Sequence, residues 1–246
     1  MRKPRWTKVY LIIIWCFTLL AIVIGVSRMT GWFNFSVGKA VEETIAFDSD
    51  LKTNELTGIV IDADAADLTI QYGDGFNVAY NYPEKNLPHI SFEDGKLEIK
   101  ETMKKSFASL WAKKYRLIVT LPKDANIDDI DIEVDMGDIK LNKIGCEDLT
   151  INANMGNVVL KDLNVESGSF DLDMGNLEIS GSKFERIEAV ADMGNIEVSG
   201  NIESMSAECD MGNIEVKTDG NVDLNKFNLH CDLGNVEVNG TKWKNK

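Results

Sequence analysis

Aspartates recur at a near-constant spacing in the second half of this 246-residue chain, with one asparagine among them. The row consists of Asp135, Asn154, Asp173, Asp192, Asp210 and Asp232. Stacked carboxylates could share Ca²⁺ ions, which prefer several oxygen ligands. Each residue also lies two positions before a glycine, where its side chain could accept the glycine N–H in an Asx-type turn. Because the calcium-roll signature Gly-Gly-x-Gly-x-Asp is missing, we predict structural turn-capping, no metal and no cofactor.

A second acidic row follows the same glycines three residues further on. It contains Glu178, Glu197, Glu215 and Glu237, with Lys140 and Val159 at the equivalent position of earlier copies. Such a row is typical of a solvated face that keeps a β-rich surface soluble. The alternative is a docking face for a cationic ligand.

The sequence does not bring a set of catalytic groups together. Some parallel β-helices cleave acidic polysaccharides with clustered aspartates and a basic residue on one outer face. Here the acidic pattern repeats copy after copy, whereas a catalytic site is a singular arrangement. Residues 124–240 contain Arg186 as their one arginine and His230 as their one histidine. No nucleophile, base and orienting group converge, so we predict that the protein is not an enzyme and has no small-molecule substrate.

The acidic rows belong to an internal repeat, in which Asp-Met-Gly-Asn precedes an apolar-polar-apolar triplet. Successive glycines are 19, 19, 19, 18 and 22 residues apart. They are Gly137, Gly156, Gly175, Gly194, Gly212 and Gly234. A nearly fixed period of this size indicates stacked supersecondary units.

Alignment on the glycines predicts the structure of one unit. The positions three before and one before Gly are apolar and enclose a polar one, which is the period-two alternation of a strand. The positions two and four after Gly are again apolar, and we expect them to face inward. Gly and the following Asn tolerate the positive φ of a corner. The apolar column directly before Gly is Met136, Met155, Met174, Met193, Met211 and Leu233.

One unit cannot cover its own apolar face, but units stacked about 4.8 Å apart can share a core. The predicted fold is therefore all-β, a single-domain parallel β-solenoid with coils of about 19 residues, in which identical side chains form ladders. Of the cysteines, Cys146, Cys209 and Cys231 are predicted to be buried thiols. A disulfide between Cys209 and Cys231 is the alternative.

The N-terminal residues predict a membrane anchor. Residues 9–26 are an uncharged apolar run, about the minimum length of a transmembrane helix. Basic residues are concentrated in segment 1–8 before it, which places the N-terminus in the cytoplasm and the rest outside. A cleaved signal peptide would need a shorter apolar region and a small-x-small site. Lipid attachment at Cys16 is disfavoured because the bulky Trp15 precedes it.

The charge balance excludes some classes of partner. The formal net charge is −14, and residues 124–240 hold 26 Asp and Glu against 7 Lys and Arg. Nucleic acid is excluded because phosphate binding needs the opposite sign, and an anionic lipid surface is disfavoured. Cationic partners remain.

The domain organisation follows from these features. Within the linker, residues 38–47 could form a short amphipathic helix. The predicted segments are a cytoplasmic basic segment (1–8), a transmembrane helix (9–26), a juxtamembrane linker (27–50), irregular first coils of the solenoid (51–123), regular repeat coils (124–240) and a C-terminal tail (241–246) in which Trp243 caps the last coil.

A basic and aromatic insertion at 101–114 interrupts the first coils. It is singular on an otherwise repetitive acidic body, so we predict it as a contact for a partner, although its aromatic side chains could equally cover the end of the solenoid. The residues concerned are Lys104, Lys105, Phe107, Trp111, Lys113 and Lys114.

Three blocks carry a resemblance to a known family. They are Gly58-Ile-Val-Ile-Asp-Ala with Asp67-Leu-Thr-Ile, then Tyr115-Arg-Leu-Ile-Val-Thr-Leu-Pro122, then the serial Met-Gly-Asn copies. Over about residues 55 to 240 the chain resembles the bacterial "putative adhesin" family of β-strand-repeat domains of unknown function, which includes LiaG-type envelope proteins. The resemblance implies a membrane-anchored envelope protein, sometimes linked with envelope-stress systems, and it supplies no active site.

Together these observations predict a single-pass cell-membrane protein with an extracytoplasmic β-solenoid. Its function would be non-enzymatic binding or scaffolding in the bacterial cell envelope, with an envelope protein or a wall polymer as partner. The alternative is an envelope-stress sensor or regulatory membrane protein that acts through partner membrane proteins.

Overall fold

The computed structural model describes residues 40–47, 56–101, 115–123, 125–219 and 223–243. All of them belong to one compact unit, Gly38–Lys246. The strands are β1 (Ala40–Ala46), β2 (Gly58–Ala63), β3 (Asp67–Gly73), β4 (Asn77–Pro83), β5 (His89–Glu93), β6 (Lys96–Lys100), β7 (Arg116–Pro122), β8 (Ile127–Met136), β9 (Ile139–Asn142), β10 (Gly145–Met155), β11 (Val158–Lys161), β12 (Asn164–Met174), β13 (Leu177–Met193), β14 (Ile196–Thr218), β15 (Phe227–Val238) and β16 (Thr241–Lys242).

The helices of the described residues are single 3₁₀ turns at Glu84–Asn86 and Leu224–Lys226. Neither could cross a bilayer by length or apolar character. The predicted transmembrane segment 9–26 lies outside the described residues.

The repeats stack as parallel coils, as the sequence predicts. One ladder runs β2-β8-β10-β12-β13 and a second runs β3-β9-β11-β13. β13 and β14 are long because each continues through the bend that joins two faces of a coil. Equivalent residues lie opposite one another, as in the series Ile132, Ile151, Phe170, Ala189, Ala207 and Leu229. The all-β parallel solenoid is therefore confirmed.

The core is formed by the columns that follow each corner glycine. Ile139, Val158, Leu177, Ile196 and Ile214 are buried, and so are the residues two places further on. At the last coil Val236 is only half-buried, because β16 alone lies beyond it there. The prediction that these columns face inward is confirmed.

The corner glycines lie in a row. Gly137, Gly156, Gly175, Gly194 and Gly212 have φ between +144° and +158°. A Cβ built on Gly156 would lie 1.9 Å from the carbonyl oxygen of Gly137. The same close approach recurs in every later coil, so each corner rests on the backbone of the one before it.

The first coils differ from the prediction in one respect. β2, β3, β6 and β7 join the parallel ladders, but β1 pairs antiparallel with β4 and β5 antiparallel with β6. The expected helix at residues 38–47 is wrong, since Ala40–Ala46 is a strand. Val41, Thr44 and Ile45 are β-branched, which favours a strand, and the edge of β4 supplies the partner.

The C-terminal tail covers part of the last coil. Glu237 and Val238 pair with Lys242 and Thr241, and the Trp243 N–H donates to the Val236 carbonyl at 2.8 Å. The Trp243 side chain packs against the core. The capping role predicted for Trp243 is thus confirmed.

Candidate binding surface

The corner brings the methionine column to the outside. The residues three before Gly are buried as predicted, except that Cys231 at the last coil is only half-buried, whereas the methionines one before Gly are not buried. Met155, Met174, Met193 and Met211 are 41%, 41%, 43% and 47% exposed, and Leu233 is 69% exposed. The period-two expectation fails here because the alternation ends before the glycine bend: Asp173 and Met174, although adjacent in sequence, are both exposed, as are their equivalents in the two neighbouring coils.

These side chains form one continuous column, which we call the Met ladder. In-register pairing places Met136, Met155, Met174, Met193, Met211 and Leu233 next to one another on successive coils. Leu233 is the most exposed because its coil is the last. The ladder is an apolar stripe on the outer surface of the repeat coils.

The Asp row lies beside the Met ladder; it consists of Asp135, Asn154, Asp173, Asp192, Asp210 and Asp232. The Asx-turn explanation of this row is wrong, because the corner glycine N–H groups have another partner. Gly156 donates to the Met174 carbonyl of the next coil at 3.0 Å, and Gly175 to that of Met193 at 3.0 Å. Burial, followed by the charges of Asp64 and Asp62, raises the pKa of Asp135.

The residues after the glycines do the capping instead. We call this column the Asn ladder. The side-chain oxygen of one residue accepts a hydrogen bond from the backbone N–H of the equivalent residue in the next coil. Asn157 Oδ1 accepts from the Asn176 N–H at 3.1 Å, and Asn176 Oδ1 accepts from the Asn195 N–H at 2.9 Å. The members are Asp67, Asp138, Asn157, Asn176, Asn195, Asn213 and Asn235. Since the bonds run between coils, they fix the coil spacing at the corner.

Replacement of one rung tests this ladder. Asn176→Ala removes the acceptor of the Asn195 N–H and the 3.1 Å bond from Asn176 Nδ2 to Asn157 Oδ1. We expect a loss of about 1 to 2 kcal/mol in the free energy of unfolding, measured by urea denaturation. Asn176→Asp keeps the acceptor and should lose less. An Asn152→Ala control changes an exposed mid-strand position; equal stability of the two alanine variants would show that the ladder contributes nothing.

The Glu row is exposed as predicted, apart from the half-buried Glu215, and its charge is partly neutralised. It consists of Glu178, Glu197, Glu215 and Glu237. Lys161 lies 3.7 Å from Glu178, and Lys217 lies 2.7 Å from Glu215. Both pairs are solvated, so each contributes little to stability.

One buried carboxyl was not singled out by the sequence. Glu101 is 4% exposed and follows β6, in which Leu97 and Ile99 point inward. Its Oε2 accepts hydrogen bonds from the Ala65 N–H at 3.0 Å and the Tyr82 hydroxyl at 3.3 Å, whereas Oε1 is buried without a partner. The signal was the alternation Leu97, Ile99, Glu101, which puts the carboxyl on the inward side.

Burial raises the pKa of Glu101 to about 7, assisted by the nearby charges of Asp64 and Asp62 and opposed by the hydrogen bonds from Ala65 and Tyr82. The folded protein therefore holds a proton that the unfolded chain releases near the ordinary value of 4.5. Consequently the contribution of Glu101 to stability is fully present below pH 4.5 and falls as the pH rises to about 7.

Glu101→Gln should remove this pH dependence. The amide keeps an acceptor for Ala65 and Tyr82 and carries no charge, so the variant should be more stable than the wild type at pH 8 by about 1 to 3 kcal/mol. The two proteins should converge towards pH 4.5. The measurement is urea denaturation of both proteins across this pH range. The difference between their free energies of unfolding removes the contributions of the other titrating groups. A constant difference at all pH values would contradict the assignment.

The remaining reactive groups form no site among the described residues. Cys146, Cys209 and Cys231 are free thiols, and burial raises the pKa of Cys146 and of Cys209 to about 12. His230 is exposed and pairs with Asp232, Nε2 to Oδ1, at 2.8 Å. In the described ranges no three His, Cys, Asp or Glu side chains are grouped to hold a metal ion.

Apart from Glu101, the basic and aromatic insertion at 101–114 lies outside the described residues, together with all six of its predicted contact residues. Its flanks are described: Lys100 pairs with Asp62, and Arg116 pairs with Asp67. These two flanking residues thus pair with the residues at the two ends of the short connection between β2 and β3.

The fold and its ladders define a stacked-repeat β-solenoid with acidic and apolar outer columns. The chain belongs to the Toastrack DUF4097 family, which matches residues 56–239. This confirms the family resemblance drawn from the repeats. None of the curated proteins matches the chain.

One solved structure shares the fold, and a second is similar to the chain. A "putative adhesin" from Bacteroides fragilis has a TM-score of 0.53 at 16% identity, covering 81% of this chain and 97% of that protein. A "putative cell adhesion protein" from Clostridium sporogenes has a TM-score of 0.49 at 18% identity, covering 74% of this chain and 100% of its own. At 16% identity the likeness to the Bacteroides fragilis protein concerns the fold alone.

Proposed function

We propose that the protein is a membrane-anchored envelope protein whose β-solenoid serves as a non-enzymatic binding surface. One observation carries the proposal: the outer surface of the repeat coils presents the same side chains coil after coil. Catalysis needs a singular convergence of groups, whereas binding to an extended partner needs repetition along a face. The description of the Bacteroides fragilis neighbour as a "putative adhesin" supports the same class of function.

The anchor is supported by the apolar run at residues 9–26 and the basic residues before it. Alkaline extraction of membranes tests it: the full chain should stay in the membrane pellet, and a chain lacking residues 9–26 should be released. A phosphatase reporter fused after Lys246 should be active, because the C-terminus lies outside. A cytoplasmic reporter signal would overturn the topology.

Binding is tested with the full chain as bait. Wall polymers and solubilised envelope proteins are the candidates for capture, with detergent alone as the blank. Saturable retention of one of them supports the proposal, and absence of any saturable partner overturns it. If the partner is lost when only residues 9–26 are replaced by an unrelated membrane helix, the result overturns binding by the solenoid in favour of regulation through membrane-embedded contacts.

A further inference from the structure

Most of the large apolar side chains that are exposed among the described residues lie in the Met ladder. Eight large hydrophobic side chains there are exposed, and five of them belong to the ladder. The other three, Leu87, Val190 and Leu224, are not members of the column. Scattered apolar residues need no explanation, but a contiguous stripe marks a contact surface.

The charge beside the stripe is negative, and among the described residues its one ion pair is at the last coil, where Asp232 lies 2.8 Å from His230. Within the described part of the chain, Asp173, Asp192 and Asp210 make no ion pair, in contrast to Glu178 and Glu215 of the Glu row. A partner that covers the ladder must pass over these carboxylates. Lysine or arginine on the flank of the partner would complement them.

The spacing of the ladder selects the secondary structure of the partner. Coils are about 4.8 Å apart, and an α-helix rises about 5.4 Å per turn, so a helix lying along the ladder drifts by only about 2 Å over the three steps from Met155 to Met211. An extended strand places side chains of one face about 6.8 Å apart and drifts by about 6 Å over the same distance. Methionine side chains are flexible and polarizable, which lets them fit varied apolar partners.

From these observations we propose that the Met ladder, with the Asp row beside it, is the docking site of a cationic amphipathic α-helix of a partner protein or peptide. The apolar stripe of the helix lies on Met155, Met174, Met193 and Met211, and its basic flank faces Asp173, Asp192 and Asp210. This inference rests on the proposed binding function and names the class of partner.

The probe is a synthetic Leu/Lys peptide of about five helical turns with leucine at i, i+3, i+4 and i+7, labelled for fluorescence anisotropy. A scrambled isomer of the same composition has the same charge without the stripe. The full chain in zwitterionic detergent, with detergent alone as blank, should bind the helical isomer at least about tenfold more tightly than the scrambled one. Comparable affinity for both would overturn the proposal.

Matched variants separate the two contributions. Met155→Gln, Met174→Gln and Met193→Gln together should weaken binding about tenfold or more, while the Leu versions of the same positions should retain it. Asp173→Asn, Asp192→Asn and Asp210→Asn together should weaken binding and reduce its salt dependence. Glu178→Gln, Glu197→Gln and Glu215→Gln change the net charge equally on the neighbouring row, and an equal effect of that variant would overturn the site.

Two further outcomes are informative. If replacement of Lys104, Lys105, Lys113 and Lys114 by Gln strengthens binding of the probe about tenfold or more, the chain's own insertion occupies the ladder, which overturns docking of a partner. If no helical probe binds while a wall polymer or envelope protein is still captured, the inference fails and the proposed function stands.

Discussion

Gly175→Ala should destabilise the solenoid by at least about 4 kcal/mol. The added Cβ would lie 1.8 Å from the Gly156 carbonyl oxygen, and the φ of +154° is already unfavourable for alanine. Relief requires the two coils to separate. That movement would break the bond from the Gly156 N–H to the Met174 carbonyl, 3.0 Å long, and the adjacent rung of the Asn ladder.

Gly240→Ala is the matched control. Gly240 also has a positive φ, +71°, but a Cβ there meets nothing within 4 Å. Its replacement should therefore cost only the backbone strain of about 1 to 2 kcal/mol. Thermal and urea unfolding of both variants, with limited proteolysis of Gly175→Ala if it fails to refold, measures the difference. Equal stability of the two variants would show that the close contact between coils at the corner does not determine the cost of the added Cβ.

Phe184→Ala should give the second large effect. Phe184 is fully buried, and its ring packs edge-to-face on Phe170 with centroids 6.1 Å apart. Gly168 leaves room for both rings, since a Cβ there would lie 2.8 Å from each. Truncation opens a cavity that the stiff parallel ladders cannot close, so we expect a loss of about 3 to 5 kcal/mol.

Phe184→Leu is the control for this position. Leucine keeps most of the volume and should lose clearly less than alanine. Urea denaturation followed by far-UV circular dichroism measures both. Because each coil contacts only its neighbours, the alanine variant should also show a lower m-value if the coils on the two sides of Phe184 unfold separately. A loss below about 1 kcal/mol would contradict the packing described here.

The repeat coils could be predicted from the sequence because equivalent positions recur. Each column is sampled six times, so the buried positions after Gly137 and its equivalents are evident, and only Gly satisfies a corner that rests on another backbone. The parallel register follows from the same periodicity. Structural features that recur in every coil can thus be predicted from the sequence.

The outward turn of the Met ladder could not be predicted from alternation. A period-two pattern puts adjacent side chains on opposite sides of a strand, whereas Asp173 and Met174, directly before the glycine bend, are both exposed. The role of the Asp row failed for a related reason. A hydrogen bond from the glycine N–H to the Asp side chain of the same repeat was expected. The N–H groups of Gly156 and Gly175 instead donate to carbonyl groups of the next coil. Such contacts between coils cannot be inferred from the sequence of one repeat.

The features that occur once were the hardest to predict. β1 depends on the free edge of β4, far along the chain. The buried carboxyl of Glu101 depends on Ala65 and Tyr82, which are distant in sequence. Local propensity carries little information about such pairings.

The stacking of corner on corner also bears on how this family can change in length. Removing residues 157–175 would join Gly156 to Asn176. The remaining corner glycines would still stack on one another, and the side chains of the Asn ladder would still lie next to one another. Duplication of the same stretch would do likewise. Loss or duplication of a whole turn therefore keeps the corners stacked, and the spacings of 18 and 22 residues show that the segments between corners also absorb small length changes. The number of turns, and with it the extent of the outer surface, can thus change without redesigning the corners.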